Sequence, residues 1–426
     1  MSKKIYLILG VFIFSAVSVA MDVPVGNSDS GKMFFEMNAD QAFYNRQTAE
    51  DLQLSFETLS RDMADNKVAR LLTCDGGGIR GIVPAQFLAE IEKYTAKSTS
   101  SMFHLMSGTS TGGIIVGGLS APERIGGTTP MYAATDLVDL YLEHAATIFD
   151  KRGGVIFNPI VRLFSSKYSH KGISRVLMDK FGDMRLSESI NDLLLTSYNL
   201  SYPQYESGDF FFKTHMTENN SRFQKTPIDF HMRDVLCCTT AAPTFFPPFR
   251  LKTIDEKNGN VPPVERKMID GGVYANDPTL CSLIEAVELY PRADSYFILS
   301  LGTGYSFNPC DPSGLLGWAP HITDVLMNSA SINVRHAVKE MSGIYKKKVY
   351  YARLQLNLSV EHAEMDDISE GNLKYLIESA NHAAGSVAAE STEADSGSIG
   401  AVLGGLMPIL RKYNKVDRSQ IAKAAN

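Results

Sequence analysis

Two glycine-rich stretches in the first third of the chain contain the residues best suited to chemistry. The first is Asp75-Gly76-Gly77-Gly78-Ile79-Arg80-Gly81, and the second is Gly108-Thr109-Ser110-Thr111-Gly112. The second has the G-x-S-x-G spacing that holds a serine on a sharp turn between a strand and a helix. The first offers backbone N–H groups that can point at a developing negative charge. A serine nucleophile and a separate loop of hydrogen-bond donors are the minimum set of groups needed for acyl transfer.

Strand and helix patterns flank both stretches, as a nucleophile on a sharp turn requires. Residues 70–74 predict a buried strand that runs into the first glycines, and residues 84–94 predict the helix that follows them. Residues 102–106 predict a short apolar strand before the second stretch. Residues 114–119 predict a helix of small residues behind Ser110. The strand–turn–helix arrangement therefore occurs twice.

With these motifs the chain resembles the patatin-like phospholipase family. The oxyanion loop of that family reads D-G-G-G-x-R-G, its elbow reads G-x-S-x-G, and its catalytic aspartate lies in a later D-G-G/A. All three match without a gap, the last at Asp270-Gly271-Gly272. Residues 241–248, 276–279 and 299–304 match further family features. One departure is Thr239-Thr240, where the family usually has a serine, and we expect no catalytic consequence from it.

The resemblance implies a three-layer α/β/α sandwich with a mostly parallel sheet, and a Ser–Asp dyad that works without a histidine. Ser110 would attack the ester carbonyl, and Asp270 would accept its proton. Because a carboxylate is a poor base at its ordinary pKa, we expect the site to be partly buried. The other implied site residues are those of the oxyanion hole (Gly76, Gly77, Gly78 and Arg80), of the elbow (Gly108, Thr109, Thr111 and Gly112) and of the aspartate motif (Gly271 and Gly272).

The implied activity is hydrolysis of fatty-acyl esters of phospholipids or lysophospholipids at a lipid or membrane surface. The resemblance implies no metal and no cofactor, because the oxyanion loop supplies the stabilisation that calcium gives some other phospholipases. Transfer of the acyl group to an alcohol would use the same acyl-serine, so an acyltransferase is the nearest alternative. The need for an activating protein stays open.

Two alternatives use the same residues differently. The Ser–Asp–His order of the α/β-hydrolases could be met by Ser110, Asp270 and His321, but that family has no D-G-G-G-x-R-G in this form before its elbow. A non-enzymatic anion- or phosphate-binding protein could use residues 75–81 as a cradle. That stretch has no following Lys-Ser/Thr, as a P-loop would require.

Composition and charge limit the classes of protein and of partner that remain possible. The chain has 426 residues, of which 44% are hydrophobic, which is ample for a large core. The formal net charge is −6 and no basic stripe is present, which argues against a nucleic-acid partner. The nine histidines are scattered without metal-ligand spacing.

The N-terminal residues predict export. Lys3-Lys4 precede an apolar stretch at residues 5–17, and Ser18-Val19-Ala20 supplies small residues for cleavage after Ala20. An uncleaved membrane anchor is the alternative, but the apolar stretch is short for a full span. We therefore expect a secreted or periplasmic protein. Its five cysteines are odd in number and, apart from the adjacent Cys237 and Cys238, widely spaced, which favours buried thiols over a disulfide framework.

The sequence divides into a signal peptide (residues 1–20), an N-terminal extension (21–66), a catalytic domain (67–305) and a helical C-terminal region (306–426) that packs on the core. Residues 324–345 predict one long helix, and residues 384–400 predict a flexible linker. An apolar stretch at residues 399–410 precedes several cations. We expect it to close the core, although a helix at a membrane surface is the alternative.

Overall fold

The computed structural model describes residues 32–40, 48–150, 166–201, 208–221, 224–252, 265–306, 322–385 and 398–422. The predicted signal peptide and His321 lie outside these ranges, as does most of the predicted linker. All elements below belong to the unit Met33–Asn426.

A nine-stranded sheet positions the motifs. In chain order the described strands are β1 (Phe34–Asp40), β2 (Val68–Cys74), β3 (Leu105–Thr109), β4 (Asp192–Asn199), β5 (Asp209–Lys213), β6 (Thr217–Ser221), β7 (Gln224–Pro227), β8 (Phe249–Lys252), β9 (Glu265–Asp270), β10 (Ser295–Leu301) and β11 (Lys348–Gln355). The sheet order is β1-β11-β10-β2-β3-β4-β9-β8, with β5 also paired to β4. Strands from β1 to β4 in this order pair in parallel, whereas β5, β8 and β9 join antiparallel. Strands β6 and β7 form a separate hairpin.

Helices cover both faces of this sheet. The described α-helices are α1 (Ala49–Asp65), α2 (Ile82–Thr95), α3 (Thr99–Met102), α4 (Thr111–Leu119), α5 (Ala134–Ile148), α6 (His170–Phe181), α7 (Met232–Thr239), α8 (Gly272–Ala275), α9 (Thr279–Leu289), α10 (Ile322–Tyr345), α11 (Glu370–Gly385), α12 (Ile399–Lys412) and α13 (Arg418–Ile421).

Alternation of side chains along each strand separates two apolar layers. In β2, Leu72 and Cys74 join the larger core cluster, whereas Ala69 and Leu71 join the cluster on the opposite face. The larger cluster contains the buried faces of α1, α2, α4, α5, α6, α7, α11 and α12, and the smaller one contains those of α9 and α10. The predicted three-layer α/β/α sandwich with a mostly parallel sheet is confirmed.

Several predicted elements are confirmed, and one region needs a correction. The helix predicted over residues 84–94 is α2, and the one predicted over 324–345 is α10. The strand predicted at 102–106 lies later, at β3, because a short helix, α3, precedes it. The region 306–426 is not wholly helical: β11 pairs with β10 inside the sheet. The N-terminal extension likewise supplies β1, which pairs with β11.

The apolar stretch at residues 399–410 forms α12 and closes the core. Its side chains Val402, Leu403 and Leu406 are buried in the larger cluster, and Gly405 lies so close to Phe56 of α1 that a methyl group there would overlap the ring. None of the helices in the described ranges combines the length and apolar character needed to span a bilayer.

Candidate active site

Ser110 lies on a strained turn between β3 and α4. Its φ is +53° and its ψ is −123°, a conformation that non-glycine residues rarely adopt. A Cβ on Gly108 would overlap the backbone of Gly112, and a Cβ on Gly112 would overlap the carbonyl group of Cys74. The G-x-S-x-G spacing is therefore explained locally, because the chain folds back too tightly for side chains on either side of Ser110.

Sheet register brings Asp270 to the same edge as Ser110. Thr109, the residue before Ser110, pairs with Thr196 of β4, and the next residue of β4, Ser197, pairs with Asp270 at the end of β9. Since β9 runs antiparallel to β4, its last residue lies at the edge where β3 ends. Residues far apart in the sequence are thus neighbours in space.

The environment of Asp270 suits a general base. Its side chain is almost fully buried, and its Oδ1 accepts the N–H of Gly272 at 2.7 Å. Burial raises the pKa of the Asp270 carboxyl to about 7, although hydrogen bonding from the Ser110 side chain and the Gly272 N–H opposes part of that rise. Within the described residues, Oδ2 has no hydrogen bond of ordinary geometry, so the Ser110 contact is a loose one. Catalytic hydrogen bonds are often long before substrate binds.

The other elbow and aspartate-motif residues connect these two side chains. The hydroxyl of Thr109 donates to the carbonyl oxygen of Ala275 at 2.6 Å and lies 2.7 Å from the hydroxyl of Thr196. A Cβ on Gly271 would overlap Thr196. The strand of the nucleophile and the loop of the base are therefore in direct contact.

Thr239, at the end of α7, supports the nucleophile directly. Its hydroxyl oxygen accepts the backbone N–H of Ser110 at 2.9 Å, and the same hydroxyl donates to the carbonyl oxygen of Thr196 at 2.6 Å. The hydroxyl of Thr111 makes a hydrogen bond with that of Tyr141. We expected no catalytic consequence from Thr239, whereas the structure places it against the nucleophile.

The three glycines of the oxyanion loop differ in what their N–H groups do. The N–H of Gly76 donates to the carbonyl oxygen of Asn276 at 3.2 Å, and so it is engaged inside the protein. The N–H groups of Gly77 and Gly78 have no acceptor among the described residues. Gly78 has a φ of +60°. The geometry therefore leaves two of the three predicted donors available to an oxyanion.

The segment after β11 lies against the oxyanion loop. The carbonyl oxygen of Met365 accepts the N–H of Ile79 at 2.9 Å, and a Cβ on Gly78 would overlap that same oxygen. Arg80 donates from its guanidinium to the carbonyl oxygen of Ala363 at 2.9 Å. Arg80 thus holds this segment in place, in addition to placing a positive charge near the loop.

An apolar pocket opens at Ser110. Its walls come from α4, α5, α6, the end of α7 with the turn that follows it, and the segment after β11. The lining residues are Gly78, Ser110, Thr111, Ile114, Tyr141, Ile148, Phe149, Ile173, Thr240, Ala242, Phe245, Phe246 and Met365. These side chains are mostly aliphatic or aromatic, which suits an acyl chain beside the nucleophile.

Comparison with known proteins agrees with this geometry. The family profile described as patatin-like phospholipase matches residues 72–280, which contain both glycine-rich stretches and Asp270. The chain belongs to the patatin-like phospholipase family. Patatin-like protein 2 of Oryza sativa subsp. indica is 28% identical over 348 residues, covering 73% of this chain and 82% of that protein. Patatin-like protein 2 of Arabidopsis thaliana is 29% identical over 341 residues, with coverage of 72% and 80%. Patatin-T5 of Solanum tuberosum is 28% identical over 344 residues, with coverage of 73% and 82%.

Membership of the patatin-like phospholipase family supports a lipid acyl hydrolase, that is, a hydrolase acting on esters. Among the described residues that line the pocket, none is a histidine. His321, the base of the alternative Ser–Asp–His triad, lies outside the described residues. Within the described chain, no group of three or more His, Cys, Asp or Glu residues is arranged to hold a metal ion.

Three residues at this patatin-like site have roles that the sequence did not predict. They are Thr239, Met365 and a buried arginine of β11, Arg353. Thr239 was visible as a departure from the family pattern. Met365 and Arg353 follow the matched range 72–280, and no local motif marks them. The pairing of β11 with β10 brings Arg353 to the site, and the segment that follows β11 brings Met365.

Proposed function

We propose that this protein is a serine lipid acyl hydrolase that cleaves fatty-acyl ester bonds of phospholipids or lysophospholipids through a Ser110–Asp270 dyad. The observation that supports this most strongly is the combination of a serine at a strained elbow and a buried carboxyl whose pKa is raised to about 7. A carboxylate with that pKa is matched to accept and return a proton near neutral pH.

In the proposed acylation step, Oγ of Ser110 attacks the ester carbonyl while Asp270 accepts the hydroxyl proton. The carbonyl oxygen becomes an oxyanion, which the free N–H groups of Gly77 and Gly78 stabilise. The intermediate collapses, the bond to the leaving alcohol breaks, and Asp270 returns the proton to the leaving oxygen. The product is an acyl-serine.

In the proposed deacylation step, water attacks the acyl-serine while Asp270 accepts a proton from it. A second oxyanion forms at the same two N–H groups and collapses to release the fatty acid. Asp270 then returns its proton to Oγ of Ser110, which restores the free enzyme. The apolar pocket holds the acyl chain during both steps.

Fatty-acid release from mixed phospholipid micelles tests this proposal. The protein starting at Met21 is compared with Ser110→Ala and Asp270→Asn, and His321→Ala is the matched control for the alternative triad. We expect release by the wild type and by His321→Ala, and loss of at least about 1,000-fold in the other two variants. Robust activity of Asp270→Asn together with loss in His321→Ala would contradict the dyad. Product analysis with an added alcohol measures acyl transfer in the same assay.

We also propose that the protein acts after export, on a lipid or membrane surface. This rests on the signal-peptide pattern at residues 1–20, which lies outside the described residues, and on the apolar lining of the pocket. N-terminal sequencing of the protein recovered from the producing cells tests the cleavage after Ala20. An intact N-terminus would contradict the proposal.

A further inference from the structure

Arg353 of β11 forms a buried ion pair behind the oxyanion loop. Its guanidinium donates to Oδ1 of Asp75 at 3.0 Å and to Oδ2 at 2.6 Å, so the pair is bidentate. One of the same nitrogens donates to the hydroxyl of Ser300 at 2.8 Å and lies 3.6 Å from a carboxylate oxygen of Asp277. The side chains of Arg353, Asp75 and Asp277 are each less than 5% exposed.

The two carboxylates belong to different loops of the site. Asp75 is the first residue of the oxyanion loop, and Asp277 ends the short segment that begins at Asp270 and contains α8. The residues beside them are already joined, because the N–H of Gly76 donates to the carbonyl oxygen of Asn276. Arg353 therefore contacts both the loop of the donors and the loop of the base, at the point where the two loops meet.

The charges favour a fixed arrangement of these loops. Burial lowers the pKa of Arg353, but the adjacent Asp75 and Asp277 outweigh this effect and hold that pKa well above its usual value. The guanidinium stays protonated, and its planar shape fixes the orientation of the Asp75 carboxylate. Without it, two buried carboxylates would lie close together with no countercharge, and the loops would separate.

We propose that Arg353 is a positioning residue: by pairing with Asp75 and Asp277 it holds the N–H groups of Gly77 and Gly78 at the correct place relative to Ser110 and Asp270. This inference rests on the proposed acyl transfer at Ser110. It predicts that weakening the ion pair impairs stabilisation of the oxyanion more than binding of the acyl chain.

Two variants and one control separate positioning from general stability. Arg353→Lys keeps the charge but loses the bidentate geometry. Asp75→Asn keeps the shape of the side chain and leaves Arg353 paired with Asp277, so it decides the question should Arg353→Lys fail to fold. Arg335→Lys is the control for the chemical change itself, because Arg335 also makes a two-point pair, with Glu36 of the edge strand β1, away from β3 and Ser110. This pair is more exposed than that of Arg353.

The measurements use the full chain, with active sites counted by stoichiometric labelling with a fluorophosphonate. For each variant we measure kcat and KM on a p-nitrophenyl fatty ester. We also measure inhibition by a trifluoromethyl ketone, which forms an oxyanion adduct with the serine, and by a fatty alcohol of equal length, which forms none.

We expect kcat per labelled site to fall about 10- to 100-fold in Arg353→Lys and in Asp75→Asn, and the inhibition constant of the ketone to rise by a similar factor. KM and the inhibition constant of the alcohol should change less than about threefold, since they do not depend on the oxyanion. Arg335→Lys should resemble the wild type in all four quantities.

Unchanged kcat per labelled site in both variants, with only a lower melting temperature, would overturn the inference and leave Arg353 as a stabilising residue. Equal weakening of ketone and alcohol binding would also overturn it. A wild type that is neither labelled nor active would instead overturn the proposed function, and this inference with it.

Discussion

The backbone N–H of Ser110 donates to the hydroxyl oxygen of Thr239 at 2.9 Å. The same hydroxyl donates to the carbonyl oxygen of Thr196, so α7 is joined to both the elbow and the neighbouring strand. Ser110 has a positive φ, and a strained backbone of this kind persists only where its surroundings hold it. Thr239 is one of the contacts that hold it.

Replacing Thr239 with valine should impair both stability and catalysis. The change leaves the Ser110 N–H and the Thr196 carbonyl without their partner in a buried place, which should cost about 1–3 kcal/mol of unfolding free energy. Displacement of the nucleophile should lower kcat about 10- to 100-fold. Denaturant unfolding and steady-state hydrolysis measure the two effects. Thr239→Ser retains the hydroxyl and should restore most of the activity; equal losses in both variants would argue against the role of the hydroxyl.

The pH dependence of activity should follow the ionisation of Asp270. Burial raises the pKa of this carboxyl to about 7. Because the ionised form is the base, kcat/KM should rise with pH up to about 7 and then level off. A pH–rate profile of the free enzyme with a soluble ester measures the midpoint. A profile already flat from pH 5 upward would show that Asp270 is not the titrating base.

The raised pKa of Asp270 also makes the wild type less stable at neutral pH. The carboxyl binds its proton more tightly in the folded state than in the unfolded state, so unfolding is favoured increasingly as pH rises from about 4 to about 7. Asn at this position does not ionise. Relative to the wild type, Asp270→Asn should therefore gain up to about 4 kcal/mol of stability between pH 4 and pH 8. Denaturant unfolding at the two pH values measures the gain, and a difference independent of pH would contradict it.

Alanine at Gly78 should inactivate the protein, whereas alanine at Gly182 should not. Both glycines have a positive φ, so either change costs about 1–3 kcal/mol of backbone strain. Only at Gly78 would the new methyl group also overlap the carbonyl oxygen of Met365; nothing lies within 4 Å of it at Gly182. We expect a fall in kcat of at least about 100-fold for Gly78→Ala and less than twofold for Gly182→Ala, per folded molecule. Similar activity of the two variants would show that the loop tolerates displacement.

Shortening Met365 should change the preference for acyl-chain length. Its side chain lines the pocket, whereas its carbonyl oxygen, which accepts the Ile79 N–H, is unaffected by the substitution. Met365→Ala should raise the ratio of kcat/KM for long over short acyl esters by about threefold or more, since each buried methylene contributes about 0.8 kcal/mol. Met407→Ala is the control, because Met407 is buried in α12 and does not line the pocket. An unchanged length profile in Met365→Ala would place the acyl chain elsewhere.

Local signals and long-range contacts differ in how far the sequence reveals them. The elbow at Ser110 and the loop at Gly77 and Gly78 are recognisable because their glycines meet steric demands within a few residues. Asp270 is recognisable only through its motif, since its proximity to Ser110 depends on the register of β4 and β9. The occupied N–H of Gly76 follows from a contact with Asn276, far along the chain, which no local pattern encodes.

The strands of the sheet are likewise less predictable from the sequence than the long helices. Helical periodicity identifies α2 and α10, which are long. The strand β11 is buried along nearly all its length, so its apolar residues have no alternation that would distinguish it from the helices on either side of it. Because the sequence does not predict β11, it also does not predict that Arg353 lies beside the oxyanion loop.

The pairing of β1 with β11 determines how much of the chain must be synthesised before the sheet can be completed. Phe34 lies opposite Val349, so β1, the first of the described strands, pairs with β11, the last of them. A ribosome delivers the chain from its N-terminus, and contacts between distant segments form late. A nascent polypeptide that already carries Ser110 and Asp270 still lacks the strand that supplies Arg353. Lipolytic competence would therefore arise only after β11 has been synthesised and has paired with β10.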